Sequence, residues 1–107
     1  MVLKIFTVGL VLSCLSCSSD ASIEPLENKP FTEKDAVNLY TVKCSSCHGS
    51  DGKLGLSGAK DLSISKLSDD QILQTIKMGK NVMPSFEGSI SNEQMKMLIP
   101  VVKSLRK

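Results

Sequence analysis

Cys44, Cys47 and His48 stand together as Cys44-Ser45-Ser46-Cys47-His48, and His48 is the only histidine of the 107 residues. On a helix, residues three and four apart share a face, so both thiols and the imidazole project the same way. Two thiols at that spacing can add to vinyl groups on neighbouring pyrroles of a porphyrin. An imidazole one turn beyond the first thiol can then rise to the iron. Cys-x-x-Cys-His is for this reason a haem-attachment pattern, and it implies one covalent haem c.

Other chemistries use similar residues. A thioredoxin-like redox pair is also Cys-x-x-Cys, but it sits where a strand of a βαβ unit gives way to a helix. No strand pattern precedes Cys44. A zinc site needs about four ligands, and with Cys14 and Cys17 set aside none remain to complete it. A disulfide between Cys44 and Cys47 suits an exported protein but leaves His48 without a role.

A haem iron bound by one histidine has a sixth position to fill. With no second histidine, methionine is the usual alternative, and it raises the reduction potential. The candidates are Met78, Met83, Met95 and Met97. Met95 lies on the apolar face of the last predicted helix and reads as core, whereas Met97 lies off that face. Met78 falls on the last turn of the preceding helix and reads as packing. Met83 stands in the loop Gly79-Lys80-Asn81-Val82-Met83-Pro84. Pro84 biases Met83 towards an extended backbone and stiffens the loop. A thioether held there can be aimed at an iron; the plainer alternative is that it packs the loop.

The elements that must position these groups are helical. Thr32 is an N-cap, and the acidic Glu33 and Asp35 suit the start of a helix. Ala36, Val37, Tyr40 and Cys44 recur at three- and four-residue steps and predict an apolar face running to about Cys47. Gly49 to Lys66 reads as a loop. Ser68-Asp69-Asp70-Gln71 is a capping-box signature, followed by the apolar Ile72, Leu73 and Ile76 and ended by Gly79. Ser91-Asn92-Glu93-Gln94 repeats it ahead of Met95, Leu98, Ile99, Val102 and Leu105. Pro100 inside that last helix predicts a kink. No segment alternates as a strand, so the expected fold is all-α.

The N-terminus reads as an address. Met1 to Ser16 has Lys4 followed by an apolar run too short to span a bilayer, which takes about 20 residues, and it fits a secretory signal. Val11-Leu12-Ser13-Cys14-Leu15-Ser16-Cys17 resembles a bacterial lipobox. Lipid is assigned to Cys17, because cleavage before Cys14 leaves an unusually short signal, although Val11 makes the upstream context of Cys14 the better one. The plainer alternative is a signal peptide with incidental cysteines. Residues 17–30, with Pro25 and Pro30 and no apolar periodicity, read as a lipidated start and flexible tether. Residues 31–107 are then the folded domain, in an exported, membrane-anchored protein facing the periplasm or the outer side of the cytoplasmic membrane.

A net charge of +2 and the lack of a long Lys/Arg run exclude nucleic acid as the expected partner. Composition, at 41% hydrophobic and 22% charged, is that of a globular chain.

Taken together, Ala36 and Tyr40 ahead of Cys-x-x-Cys-His-Gly, Leu62, Leu67-Ser68-Asp69-Asp70, Ile76-Lys77-Met78-Gly79-Lys80, Met83-Pro84-Ser85-Phe86 and the Ile90–Gln94 lead into the final helix resemble a class I cytochrome c of the small bacterial single-haem kind. The resemblance implies the cytochrome c fold, with three main helices around the haem and the first and last crossing. It implies His48 and Met83 as axial ligands, and electron transfer between redox partner proteins rather than catalysis. Two departures stand out. Gly58-Ala59-Lys60-Asp61 lacks the proline often found before the residue matching Leu62, where a backbone carbonyl fixes the histidine ring. Val101 and Val102 stand where the last helix often carries an aromatic, which predicts a looser helix crossing. The functions weighed against the electron carrier are a haem peroxidase or gas sensor with a displaceable sixth ligand, and a haem-free thiol–disulfide oxidoreductase.

Overall fold

Each of the three longer helices begins with a reciprocal hydrogen-bonded cap, and these caps set where the chain turns. The computed structural model describes residues 29–107. The expected signal, the two cysteines of the expected lipobox and most of the expected tether lie outside the described residues. Helix α1 is Glu33–Lys43, α2 Ser45–His48, α3 Asp69–Met78 and α4 Asn92–Ser104, with 3-10 turns at Leu56–Gly58 and Leu62–Ile64. Thr32 caps α1 with Asp35, Ser68 caps α3 with Gln71, and Ser91 caps α4 with Gln94. In each pair the side-chain oxygen of one residue accepts from the backbone N–H of the other, satisfying donors a helix start leaves free.

Among the described residues there is no strand, only isolated bridges at Lys80–Met83 and Glu87–Ile90. The fold is all-α, as the patterning predicts. The core joins Ala36 and Tyr40 of α1, Ile72 and Ile76 of α3, Ile90, and Met95, Leu98, Ile99, Val101 and Val102 of α4. Helices α1 and α4 make the most extensive contact between elements. Ala36 and Leu98 are both 0% exposed, and a methyl side chain at Ala36 takes up little of the space between packed helices. Val101 and Val102 are both buried, so the residues standing in for an aromatic do fill the core.

Two sequence expectations are corrected. Val37 is not on the core face: it is 47% exposed, and Leu39 packs against the core instead. Nor does one helix run from Thr32 to Cys47; it breaks at Cys44, whose φ of −117° falls outside the helical range. The Ser45 hydroxyl donates to the Thr41 carbonyl at 2.6 Å, and the Thr41 hydroxyl to the Val37 carbonyl at 2.9 Å. Such bonds one turn back compete with the backbone ladder and bend helices. By contrast α4 continues through Pro100. Pro100 and Lys96 are both on the exposed side, so the carbonyl that loses its partner faces water.

The loop after α2 is tied down at several points. Leu54 N–H donates to the His48 carbonyl at 2.9 Å and Leu62 N–H to the Gly52 carbonyl at 2.8 Å. Gly52 is buried at φ +78°, and a Cβ there would stand 2.9 Å from Leu62 Cβ. The C-terminal end closes over the same loop. Lys107 N–H donates to the Ser63 carbonyl at 3.1 Å and Arg106 Nη2 to the Leu67 carbonyl at 2.6 Å. Lys103 Nζ meets Asp69 Oδ1 at 2.7 Å, linking α4 to the start of α3.

Candidate functional site

Helix α2 is a single turn, and it carries Cys47 and His48, with Cys44 as its N-cap. Its ends are held from outside. Cys44 N–H donates to the Tyr40 carbonyl at 2.8 Å, and the Tyr40 hydroxyl donates to the Gly49 carbonyl at 2.8 Å. Tyr40 thus grips the turn before and after the Cys-x-x-Cys-His run. Sequence patterning identified Tyr40 only as an apolar-face residue; its position one turn ahead of Cys44 was the available signal.

His48 is buried, with its Nδ1 2.9 Å from the carbonyl oxygen of Lys60. A carbonyl only accepts, so the proton resides on Nδ1 and that nitrogen donates. The lone pair is then on Nε2, the state a metal-ligating imidazole needs, with its ring fixed by the second bond. The stretch Gly58–Asp61 therefore does supply the backbone acceptor without a proline. Asp61 holds this corner by accepting at Oδ1 from the Ser63 N–H at 2.8 Å and the Ser63 hydroxyl at 2.6 Å. Those bonds hold the Asp61 carboxyl below the usual 3.8.

Cys44 is half-buried against the core and Cys47 is exposed, and the two are not bonded to each other. Burial, and secondarily Cys47, pushes the Cys44 thiol up to about 11. A dithiol built for exchange has a lowered thiol pKa at the attacking sulfur. Cys44 has the opposite, and what precedes it is a helix rather than a strand. Among the described residues no three His, Cys, Asp or Glu side chains converge closely enough to hold a metal ion by themselves.

Met83 lies in a four-residue turn. Its N–H donates to the Lys80 carbonyl at 3.0 Å, and its carbonyl accepts from the Lys80 N–H at 3.1 Å. Asn81 takes the left-handed φ of 54° that this turn requires, a conformation asparagine tolerates. Met83 is half-buried and packs against the same core as Cys44. Of the rival methionines, Met95 is core at 2% exposure, as expected. Met78 is 62% exposed, which corrects the packing role read from its place on α3. Met97 is half-buried.

Residues 32–100 match the family described as Cytochrome C oxidase, cbb3-type, subunit III. The chain belongs to this family of c-type cytochromes. It is 31% identical over 77 residues to cytochrome c6 of Nostoc sp., covering 64% of this chain and 68% of that protein. A solved structure titled KustC0563 c-type cytochrome aligns with a TM-score of 0.61 at 33% identity, covering 67% of this chain and 98% of the other. The cytochrome c6 of the diatom Phaeodactylum tricornutum, at 21% identity, shares the fold with a TM-score of 0.57 over 67% of this chain and 91% of its own. The protein is thus a small class I c-type cytochrome, a haem-bearing electron carrier with haem c bound covalently. The residues of the cytochrome fit that group: two thiols and an imidazole on one turn, with the imidazole lone pair left free by Lys60.

Proposed function

We propose that this cytochrome is a lipid-tethered, single-electron carrier whose haem is joined to Cys44 and Cys47 and ligated by His48 Nε2 and Met83 sulfur. Bound haem supplies an iron that takes up and returns one electron at a time. The observation that carries the ligand assignment is the bond from His48 Nδ1–H to the Lys60 carbonyl at 2.9 Å, which orients the ring and strengthens Nε2 as a donor. Met83 is supported by its half-buried thioether in a turn pinned on both sides to Lys80. A thioether ligand raises the potential and closes the sixth position to small molecules, which suits transfer between redox partner proteins.

The tether rests on the sequence before residue 29. Lipid on Cys17 would hold the domain to a membrane, on the periplasmic or outer side, because acyl chains contribute about 0.8 kcal/mol per buried methylene. Among the described residues no helix is long and apolar enough to cross a membrane.

The test is a holoprotein made in a host that attaches haem. Haem that survives denaturation and a methionine–iron charge-transfer band, lost in Met83→Ala, support the proposal. A band that persists in Met83→Ala, or rapid CO binding by the reduced wild type, overturns the ligand assignment. Partition of wild type, but not Cys17→Ala, into the membrane fraction tests the tether.

A further inference from the structure

The segment after Met83 returns to the end of α3 and satisfies its last carbonyls. Phe86 N–H donates to the Ile76 carbonyl at 3.1 Å and Glu87 N–H to the Lys77 carbonyl at 3.3 Å. The Ser85 hydroxyl donates to the same Lys77 carbonyl at 2.6 Å, while its oxygen accepts from Glu87 N–H at 3.2 Å. Lys77 Nζ and Glu87 Oε1, 3.6 Å apart, add an exposed ion pair to the junction. Exposed pairs of this kind contribute little. Gly79 lies directly beneath: a Cβ there would stand 2.5 Å from the Met83 carbonyl oxygen and 2.8 Å from Ser85 N.

Met83 and Phe86 pack against the core, and the residues between and before them have few other holds. Lys80, Asn81, Val82 and Pro84 are exposed, and Pro84 has no N–H to give. Among the described residues, the Ser85 hydroxyl makes the only side-chain hydrogen bond between the Met83 loop and α3. A segment with exposed backbone and few buried contacts opens locally, at a lower free energy than the whole fold.

We infer that Ser85 is a positioning residue for the sixth ligand: its hydroxyl clamps the Met83 loop to Lys77 and so sets how often the iron becomes accessible to a small molecule. This rests on Met83 being that ligand. Removing one such hydrogen bond should raise the local opening constant by about three- to tenfold. The same free energy is lost against global unfolding, where it is a small part of a larger total, so the loop should open well before the domain unfolds.

The experiment compares wild type, Ser85→Ala, Ser85→Thr and Met83→Ala as holoproteins. CO combination with the reduced protein is followed by stopped flow, the charge-transfer band by its loss on heating, and the global fold by far-ultraviolet circular dichroism. Ser85→Ala should bind CO about three- to tenfold faster and lose its band at a lower temperature, ahead of the global transition. Ser85→Thr, which keeps a hydroxyl, should return both towards wild type. An unchanged CO rate in Ser85→Ala, alongside fast CO binding by Met83→Ala, overturns the clamp and leaves the ligand standing. Equal acceleration in Ser85→Ala and Ser85→Thr also overturns it, since the hydroxyl is then not the cause. Wild-type behaviour in Met83→Ala overturns the ligand assignment itself.

Discussion

The Tyr40 hydroxyl donates to the carbonyl of Gly49 across nine residues, at 2.8 Å, and so fastens the end of the Cys-x-x-Cys-His turn to the core of α1. Tyr40→Phe keeps the ring and deletes that bond. The expected loss is about 1 kcal/mol of unfolding free energy, measured as a shift in the guanidinium midpoint. Burial is the main cause that pushes the Tyr40 hydroxyl from its ordinary 10 up to about 12, with a smaller push from Cys44 while it is a free thiol and from Asp51. The fold therefore favours the protonated phenol. That contribution is fully present below the ordinary value and disappears as pH rises through the folded one. Wild type should lose stability between pH 10 and about 12 relative to Tyr40→Phe, which has no phenol to ionise.

The acceptor for His48 is the backbone of Lys60, whose side chain is exposed. Lys60→Ala should leave the reduction potential and the oxidised spectrum unchanged. Asp61→Ala removes the acceptor for Ser63 beside it. Losing a cap of that type costs about 1 kcal/mol, or roughly 4–8 °C in the melting midpoint for a domain of this size. A change in potential from Lys60→Ala would mean that the side chain, and not the carbonyl, governs the ligand.

Gly79 sits at φ +73°, and the atoms nearest a Cβ there are backbone: Met83 O at 2.5 Å, Pro84 C at 2.8 Å and Ser85 N at 2.8 Å. Gly79→Ala meets both problems together. With ψ at 170° this backbone is one that glycine alone adopts readily, and it costs about 1–3 kcal/mol for a residue with a Cβ; the loop must also shift. A lower thermal midpoint and a weakened charge-transfer band are expected from the same substitution. An unchanged band would separate the loop's position from the iron.

Much of this architecture is visible before any coordinates. The caps at Thr32, Ser68 and Ser91 are local chemistry, written in adjacent residues, and each appears where the pattern puts it. The Cys44–His48 run is equally local. What patterning misses depends on residues meeting from afar or on a side chain choosing between partners. The break at Cys44 comes from Thr41 and Ser45 bonding backward, one of several options open to a hydroxyl. Met78 and Val37 obey helical spacing but face solvent, because spacing locates a stripe without fixing its edges. Ser85 and Lys77 are eight residues apart, and only the return of the loop onto α3 brings them together.

The three capping pairs are alike in geometry but not in acid–base character. Those of α3 and α4 use the neutral amides of Gln71 and Gln94, whereas that of α1 uses the carboxylate of Asp35. Its bonds to the Thr32 side chain and backbone hold Asp35 below 3.8, so its support persists above that value and is lost as pH falls through the folded pKa. Acidification therefore acts on the first cap and passes over the other two. The helix it unfastens, from the end far from Cys44, is the one that carries Tyr40 and leads into the cofactor's first thiol, so proton stress bears on the element that holds that turn in place.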